Sequence, residues 1–189
     1  ENRGSRTALF RLDGPDSPGL QIYDNTLVTN DGIVGQTTKT HIDLLRSNLT
    51  LLPSGDKRIF EGGYIPQEET GILTSINLVD TVFTAPSIRE ELASSHFVYY
   101  TSSGPVEDRA EFNVRWSTHF LVKDMAGQVM SGAAVRVTDS ENSVVFTGVT
   151  DENGFSQITL SELNTVGDLR TIFGEYTVTV TSEHAESSV

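Results

Sequence analysis

Apolar residues along this chain come in short runs of β-branched and aromatic side chains, interrupted every few positions by Gly, Asp, Asn or Pro. That pattern predicts short strands joined by tight turns. Helical periodicity is nearly absent. The one candidate is "PSIREELASSH" (86–96), where Pro86 and Ser87 precede Glu90 in a capping-box arrangement that predicts two or three turns.

The first half carries a weak internal repeat. "IYDNTLVT" (22–29), "LLRSNLTL" (44–51) and "LVDTVFTA" (78–85) each open with two apolar residues, continue with two mostly polar ones, and return to an apolar residue at Leu27, Leu49 and Phe83. A period near twenty residues is about one coil of a parallel β-solenoid, in which short strands meet at a bend. At that bend Asn25, Ser47 and Thr81 are expected to stack in one column. The second interval is longer than the first, which fits an insertion within 53–71. An irregular sandwich shows the same alternation, and both readings stand.

"YYTSSGPVEDRAEF" (99–112) breaks the regularity with Ser, Gly, Pro and charge, which places a boundary there. Beyond it the alternation is cleaner. Val114, Trp116, Thr118, Phe120 and Val122 share one face, as do Ala133, Val135 and Val137, and then Tyr176, Val178 and Val180. Turns are expected at 126–127, 139–143 and "GVTDENGF" (148–155), with Val149 and Phe155 entering the core on either side of the last. Five strands in this region predict a small antiparallel sandwich. The fold class is therefore all-β. A β-solenoid-like or irregular β domain occupies 1–108, and a small antiparallel, Ig-like β-sandwich occupies 109–189.

The succession Val122, Asp124, Gly127, Gly132, Ala133, Val135, Val137, then Thr150, Asp151, Gly154, Phe155, then Tyr176, Val178, Val180 resembles the carboxypeptidase-regulatory-like family of transthyretin-type sandwiches, over about 114–182. The resemblance implies a non-catalytic spacer or binding module on an exported protein. Residues 1–100 resemble, more faintly, the terminal coils of a right-handed parallel β-helix, as in polysaccharide lyases and surface adhesins.

Composition narrows the function classes. The 189 residues carry a formal net charge of −13, with acid in excess in both halves and no basic patch, so nucleic acid is excluded as a partner by the net field. There is no cysteine, hence no disulfide, thiolate metal site or cysteine nucleophile. No run of eighteen apolar residues spans a membrane. The chain opens at Glu1 without a methionine or signal peptide, which is expected of a processed protein or an excised fragment. One glycosylation sequon, Asn48-Leu49-Thr50, points to an extracellular or cell-surface location.

Candidate chemistry is sparse. In "TDENG" the carboxylate and amide oxygens are first those of a turn, because Asp and Asn bond their own backbone and Gly154 accepts a positive φ. A calcium site there needs oxygens from a second loop, and the candidate set is Asp139, Glu141, Asp151 and Asn153. His41, His96, His119 and His184 have no zinc spacing, and His119 is expected at the surface. An enzymatic reading sets Asp24, Asp43 and Asp80 on a coil face, with Asp24 and Asp80 as a carboxylate pair for glycoside cleavage. Tyr64, Tyr99 and Tyr100 are candidates for stacking on sugars.

The leading expectation is an exported, non-enzymatic surface or structural protein that adheres or assembles into a homopolymer. A filament built by strand exchange is one form of it, in which "SRTALFRLDG" (5–14), alternating Ala8, Phe10 and Leu12, supplies a strand to a neighbour. The alternatives are the C-terminal part of a carbohydrate-active β-helix enzyme with an accessory sandwich, and a carbohydrate- or calcium-binding module. No cofactor other than calcium enters any of these readings.

Overall fold

The computed structural model describes residues 8–11, 19–29, 32–35, 40–51, 60–65, 74–84, 97–101, 104–106, 110–166, 169–182 and 185–188. Among them there is strand and turn and no helix, so the all-β class holds. The expected helix at 86–96 lies outside the described residues. The chain divides into two units: 1–115 with 163–171, and 116–162 with 172–189. The division falls inside a long strand, seven residues beyond the boundary that the Ser, Gly and Pro punctuation suggests, and 163–171 returns to the first unit.

In the first unit, successive strands rotate through three parallel ladders. β1 (Ala8–Arg11), β2 (Leu20–Tyr23) and β3 (Thr26–Thr29) are followed by β4 (Gly32–Gly35), β5 (Thr40–Leu45) and β6 (Asn48–Leu51). Then come β7 (Phe60–Ile65), β8 (Thr74–Val79) and β9 (Val82–Thr84), and after them β10 (Phe97–Thr101), β11 (Gly104–Val106) and β12 (Ala110–Leu121). β1 pairs with β4, β4 with β7 and β7 with β10, all in parallel. β2, β5, β8 and β12 form the second ladder, and β3, β6 and β9 the third. The first three repeats therefore have three strands each where the repeat alone indicated two, while β11 pairs antiparallel with β10. The longer second interval is taken up between β6 and β8, on both sides of β7.

The repeat pairs in the register the sequence suggested. Ile22 lies beside Leu44, Leu44 beside Leu78, and Leu78 beside Val114. Alternate residues of a strand face opposite sides, so Ile42, Leu44, Ile76, Leu78, Phe112 and Val114 all enter the coil, with Leu49 from the third ladder. Burial of each such side chain stabilises by about 1.5–3 kcal/mol. Phe83 and Phe112 close the interior, their ring centroids 5.9 Å apart.

In the second unit, β13 (Ala134–Thr138) lies between β14 (Val144–Val149) and β17 (Thr177–Ser182), both antiparallel to it, and β17 pairs with β18 (Ala185–Ser188). β15 (Phe155–Val166) passes from the second unit into the first at Leu163, and β16 (Leu169–Ile172) lies in the first except for its last residue. Ala133, Val135 and Val137 are buried, and Val178 and Val180 pair with Val137 and Val135. Val149 and Phe155 do not enter the core as expected. They are 65% and 46% exposed, and Thr150 and Ser156 face inward instead, since alternation groups residues by face without fixing which face is covered. Among the described residues, no helix is long and apolar enough to cross a membrane.

Candidate functional site

The bends between the second and third ladders carry the most organised chemistry of the first unit. Asp24, Arg46 and Asp80 occupy the same bend position in successive coils, and each has a left-handed backbone, with φ of 54°, 48° and 51°. A non-glycine residue accepts this at a cost, and here the turn hands its N–H to the next coil. Asp24 N donates to Leu45 O (3.0 Å), Arg46 N to Val79 O (2.9 Å) and Asp80 N to Arg115 O (3.0 Å). Asn25, Ser47 and Thr81 follow and stack in the expected column. The Asn25 amide donates to Ser47 Oγ at 3.1 Å and the Ser47 amide to Thr81 Oγ1 at 3.2 Å. Each side chain also bonds the carbonyl two residues back, at Tyr23, Leu45 and Val79. Ser47 and Thr81 are buried, and these bonds are what makes that burial affordable in a low-dielectric interior.

The enzymatic pair lands on this column with a cation between its members. Arg46 donates through Nε and Nη2 to both oxygens of Asp24, each at 2.9 Å, and lies over the Tyr23 ring at 5.5 Å from its centroid. The hydrogen bond from Arg46 holds the Asp24 carboxyl below its ordinary value. A general acid requires a shift in the other direction. The same bond, with the fields of Asp24, Tyr23 and Asp80, raises the guanidinium of Arg46.

Asp43 belongs to a different row, which the sequence reading did not assemble. Gln21, Asp43, Asn77, Asn113 and Asn164 form a continuous ladder of side-chain hydrogen bonds across five strands. Gln21 Nε2 donates to Asp43 Oδ2 (3.1 Å) and Asn77 Nδ2 to Asp43 Oδ1 (2.7 Å). Asn113 Nδ2 donates to Asn77 Oδ1 (2.9 Å) and Asn164 Nδ2 to Asn113 Oδ1 (2.7 Å). Asp43 accepts from Gln21 and Asn77, and the amides of Asn113 and Asn164 each donate to the next member toward it, and hydrogen bonds chained in this way polarise one another. Glu111 accepts from Asn113 at 2.9 Å, and His41 Nδ1 lies 2.7 Å from Ser75 Oγ beside the row. A sequence signal existed. The first four members each stand between two inward apolar residues: Leu20 and Ile22, Ile42 and Leu44, Ile76 and Leu78, Phe112 and Val114. An alignment opened at Ile22 starts one residue too late to include it.

The calcium candidates lie in turns that share one frame. Asp151 Oδ1 accepts the amides of Asn153 (2.9 Å) and Phe155 (2.8 Å), and Gly154 N donates to Asp151 O at 3.0 Å. Asp139 holds Glu141 and Ser143 in the same way at 3.0 and 2.8 Å, and Asp124 holds Ala126 and Gln128 at 2.9 and 2.8 Å. The fourth residue of each turn, Gly127, Asn142 or Gly154, has a positive φ of 82°, 63° or 76°. Thr150, beside the third turn, accepts from the Ala133 amide at 3.0 Å and donates to the Met130 carbonyl at 2.6 Å. Turn chemistry accounts for these oxygens. Asp139 with Glu141 and Asp151 with Asn153 sit in two separate turns, and among the described residues no group of three or more His, Asp or Glu is gathered to hold a metal ion.

His119 is exposed, as expected of its strand position, and His41 is exposed beside Ser75. His96 and His184 lie outside the described residues. Tyr64 falls in β7 and Tyr99 and Tyr100 in β10, with their side chains outside what is described. Asn48 of the sequon stands exposed at the start of β6. Comparison with known protein families, characterised proteins and solved structures found no match.

Proposed function

We propose that this is an exported, non-enzymatic surface or structural protein that self-assembles. In this reading the first unit is a β-solenoid that associates through its first coil, and the second is a carboxypeptidase-regulatory-like sandwich. One observation carries it: among the described residues, β1, β2 and β3 are each the outer strand of their ladder at the same end of the coil. Three backbone edges with unpaired amides and carbonyls in one rung favour the addition of further strands. The interior is also incompletely covered there, since Leu20, Ile22 and Leu27 are half-buried while Ile42, Leu44 and Leu49 below them are buried. β1 pairs with β4 of its own chain, so assembly through this rung keeps β1 in place and adds a second copy's strand to it.

The test is sedimentation and electron microscopy of the chain and of Val28→Pro. Asn48 N donates to Asn25 O, so alternate residues from Asn25 face β6 and Val28 turns its N–H to the open side. Proline there removes an edge donor and leaves the ladder to β6 intact. Assemblies of the parent chain that Val28→Pro shortens or abolishes support the reading. Unchanged size in the variant overturns it.

A second reading, a saccharide-binding module, is favoured by the Gln21–Asp43–Asn77 end of the row, where an exposed amide and a half-buried carboxylate and amide offer donors and acceptors of the kind a hydroxyl-rich ligand needs. A glycan screen in which Asn77→Leu removes binding selects it. No glycan bound by the parent chain rejects it.

A further inference from the structure

Among the described residues, β14 is the outer strand of the four-stranded sheet β14-β13-β17-β18. An outer strand in a soluble protein is ordinarily blunted by charge or proline, and β14, "VVFTGV", has neither. The uncharged stretch extends from Asn142 to Thr150 in a chain of net charge −13. Val144, Val145 and Val149 are 50%, 43% and 65% exposed. A bulge opposite Val137 and Thr138 bounds the regular edge at the Val145 end.

The direction of the free backbone groups follows from the ladder. Thr150 N donates to Ala133 O, and the antiparallel pairing continues through Gly148–Val135 and Phe146–Val137. Even-numbered residues therefore turn their N–H and C=O to β13, and Thr147 and Val149 turn theirs outward. Val145 and Val149 stand two residues on either side of Thr147 in this segment. Antiparallel pairing with itself on a two-fold axis through Thr147 sets each Val145 opposite Val149 of the other copy, and threonine opposite threonine. Both are favourable cross-strand pairs, and such an interface uses the same patch on both molecules.

We propose that β14 is a homodimer interface, pairing two copies edge to edge into one continuous eight-stranded sheet. This deepens the self-assembly reading above and rests on it. A pairing at β14 together with a pairing at the first coil gives each molecule two distinct contacts, the minimum for an open chain. The acidic turns that flank β14, with Asp139, Glu141, Asp151 and Glu152, approach their counterparts in the pair, so added salt strengthens the association by screening them.

The experiment is sedimentation equilibrium of the full chain at low and high salt, alongside Thr147→Pro, Thr147→Lys and Val28→Pro, with circular dichroism to verify folding. Thr147→Pro removes an outward N–H without touching the β13 ladder. The expected result is association that rises with salt and falls about tenfold or more in both Thr147 variants. Dimers that survive in Val28→Pro and vanish in Thr147→Pro support the β14 pairing even where the first-coil reading fails. Dimers that vanish in Val28→Pro and are untouched by both Thr147 variants overturn the β14 pairing alone. A chain that remains monomeric at high salt overturns both. Should Thr147→Pro not fold, the folded Thr147→Lys variant decides, and parent-like association in it also overturns the pairing.

Discussion

Gly154 is locked against Val122: the Val122 N–H donates to Gly154 O at 2.9 Å, and a Cβ added at 154 would stand 2.9 Å from the Val122 carbonyl oxygen and 3.1 Å from Val129 Cβ. At Gly127 an added Cβ would meet nothing within 4 Å. Both have a positive φ, so both pay about 1–2 kcal/mol for a side chain in the left-handed region. Gly154→Ala carries the backbone clash as well. The expected destabilisation is about 3 kcal/mol or more for Gly154→Ala and about 1 kcal/mol for Gly127→Ala, read from urea unfolding midpoints. Equal losses would mean that close approach at 154 does not matter.

Thr81→Val keeps the shape of a buried side chain and removes the acceptor of the Ser47 amide. An amide left buried without a partner costs about 1–3 kcal/mol. Thr81→Ser keeps the hydroxyl and is expected to recover most of that loss in the same denaturation series. Equal stability of the Val and Ser variants would remove the column's role.

Asp151→Ala frees two amides at once, and a loss of about 1–2 kcal/mol is expected, as for other side-chain caps of backbone donors. Because the turn's own hydrogen bonds account for its oxygens, the melting temperature of the parent chain is expected to be the same with calcium and with EDTA. A rise with calcium that Asp151→Ala abolishes would restore the ion site.

The Asp24 carboxyl titrates below its ordinary value in the folded chain because Arg46 bonds it. A depressed folded value gives stability that is present above the unfolded value and is lost as pH falls through the folded one. The melting temperature of the parent chain should therefore exceed that of Asp24→Asn at neutral pH. The gap should narrow only in acid, below the usual aspartate range, and shrink with salt, since the pair is exposed. A gap that opens in acid would contradict the assignment.

The parts of this fold legible in the sequence were those fixed by local chemistry. Asp124, Asp139 and Asp151 announce turns because the side chain and its own backbone are sufficient to make them. The stacking of Asn25, Ser47 and Thr81 was legible because a small polar residue after an apolar pair recurs at a steady offset. What escaped depends on long-range placement. The ladder through Asn164 joins strands about fifty residues apart, and nothing local marks its end. The third strand of each coil was missed because "GIVG" and "FEGGYI" share no residue pattern. The expectation for Val149 and Phe155 failed because alternation tells which residues share a face, while the side covered is settled by other elements.

The three Asp turns need from their second and third residues only a main chain. Met125 and Ala126, Ser140 and Glu141, and Glu152 and Asn153 fill these places with unrelated side chains, all exposed. The rims of the second unit are thus open to rewriting: six positions can diversify, in the laboratory or by drift, with recognition properties changing while the scaffold beneath is conserved.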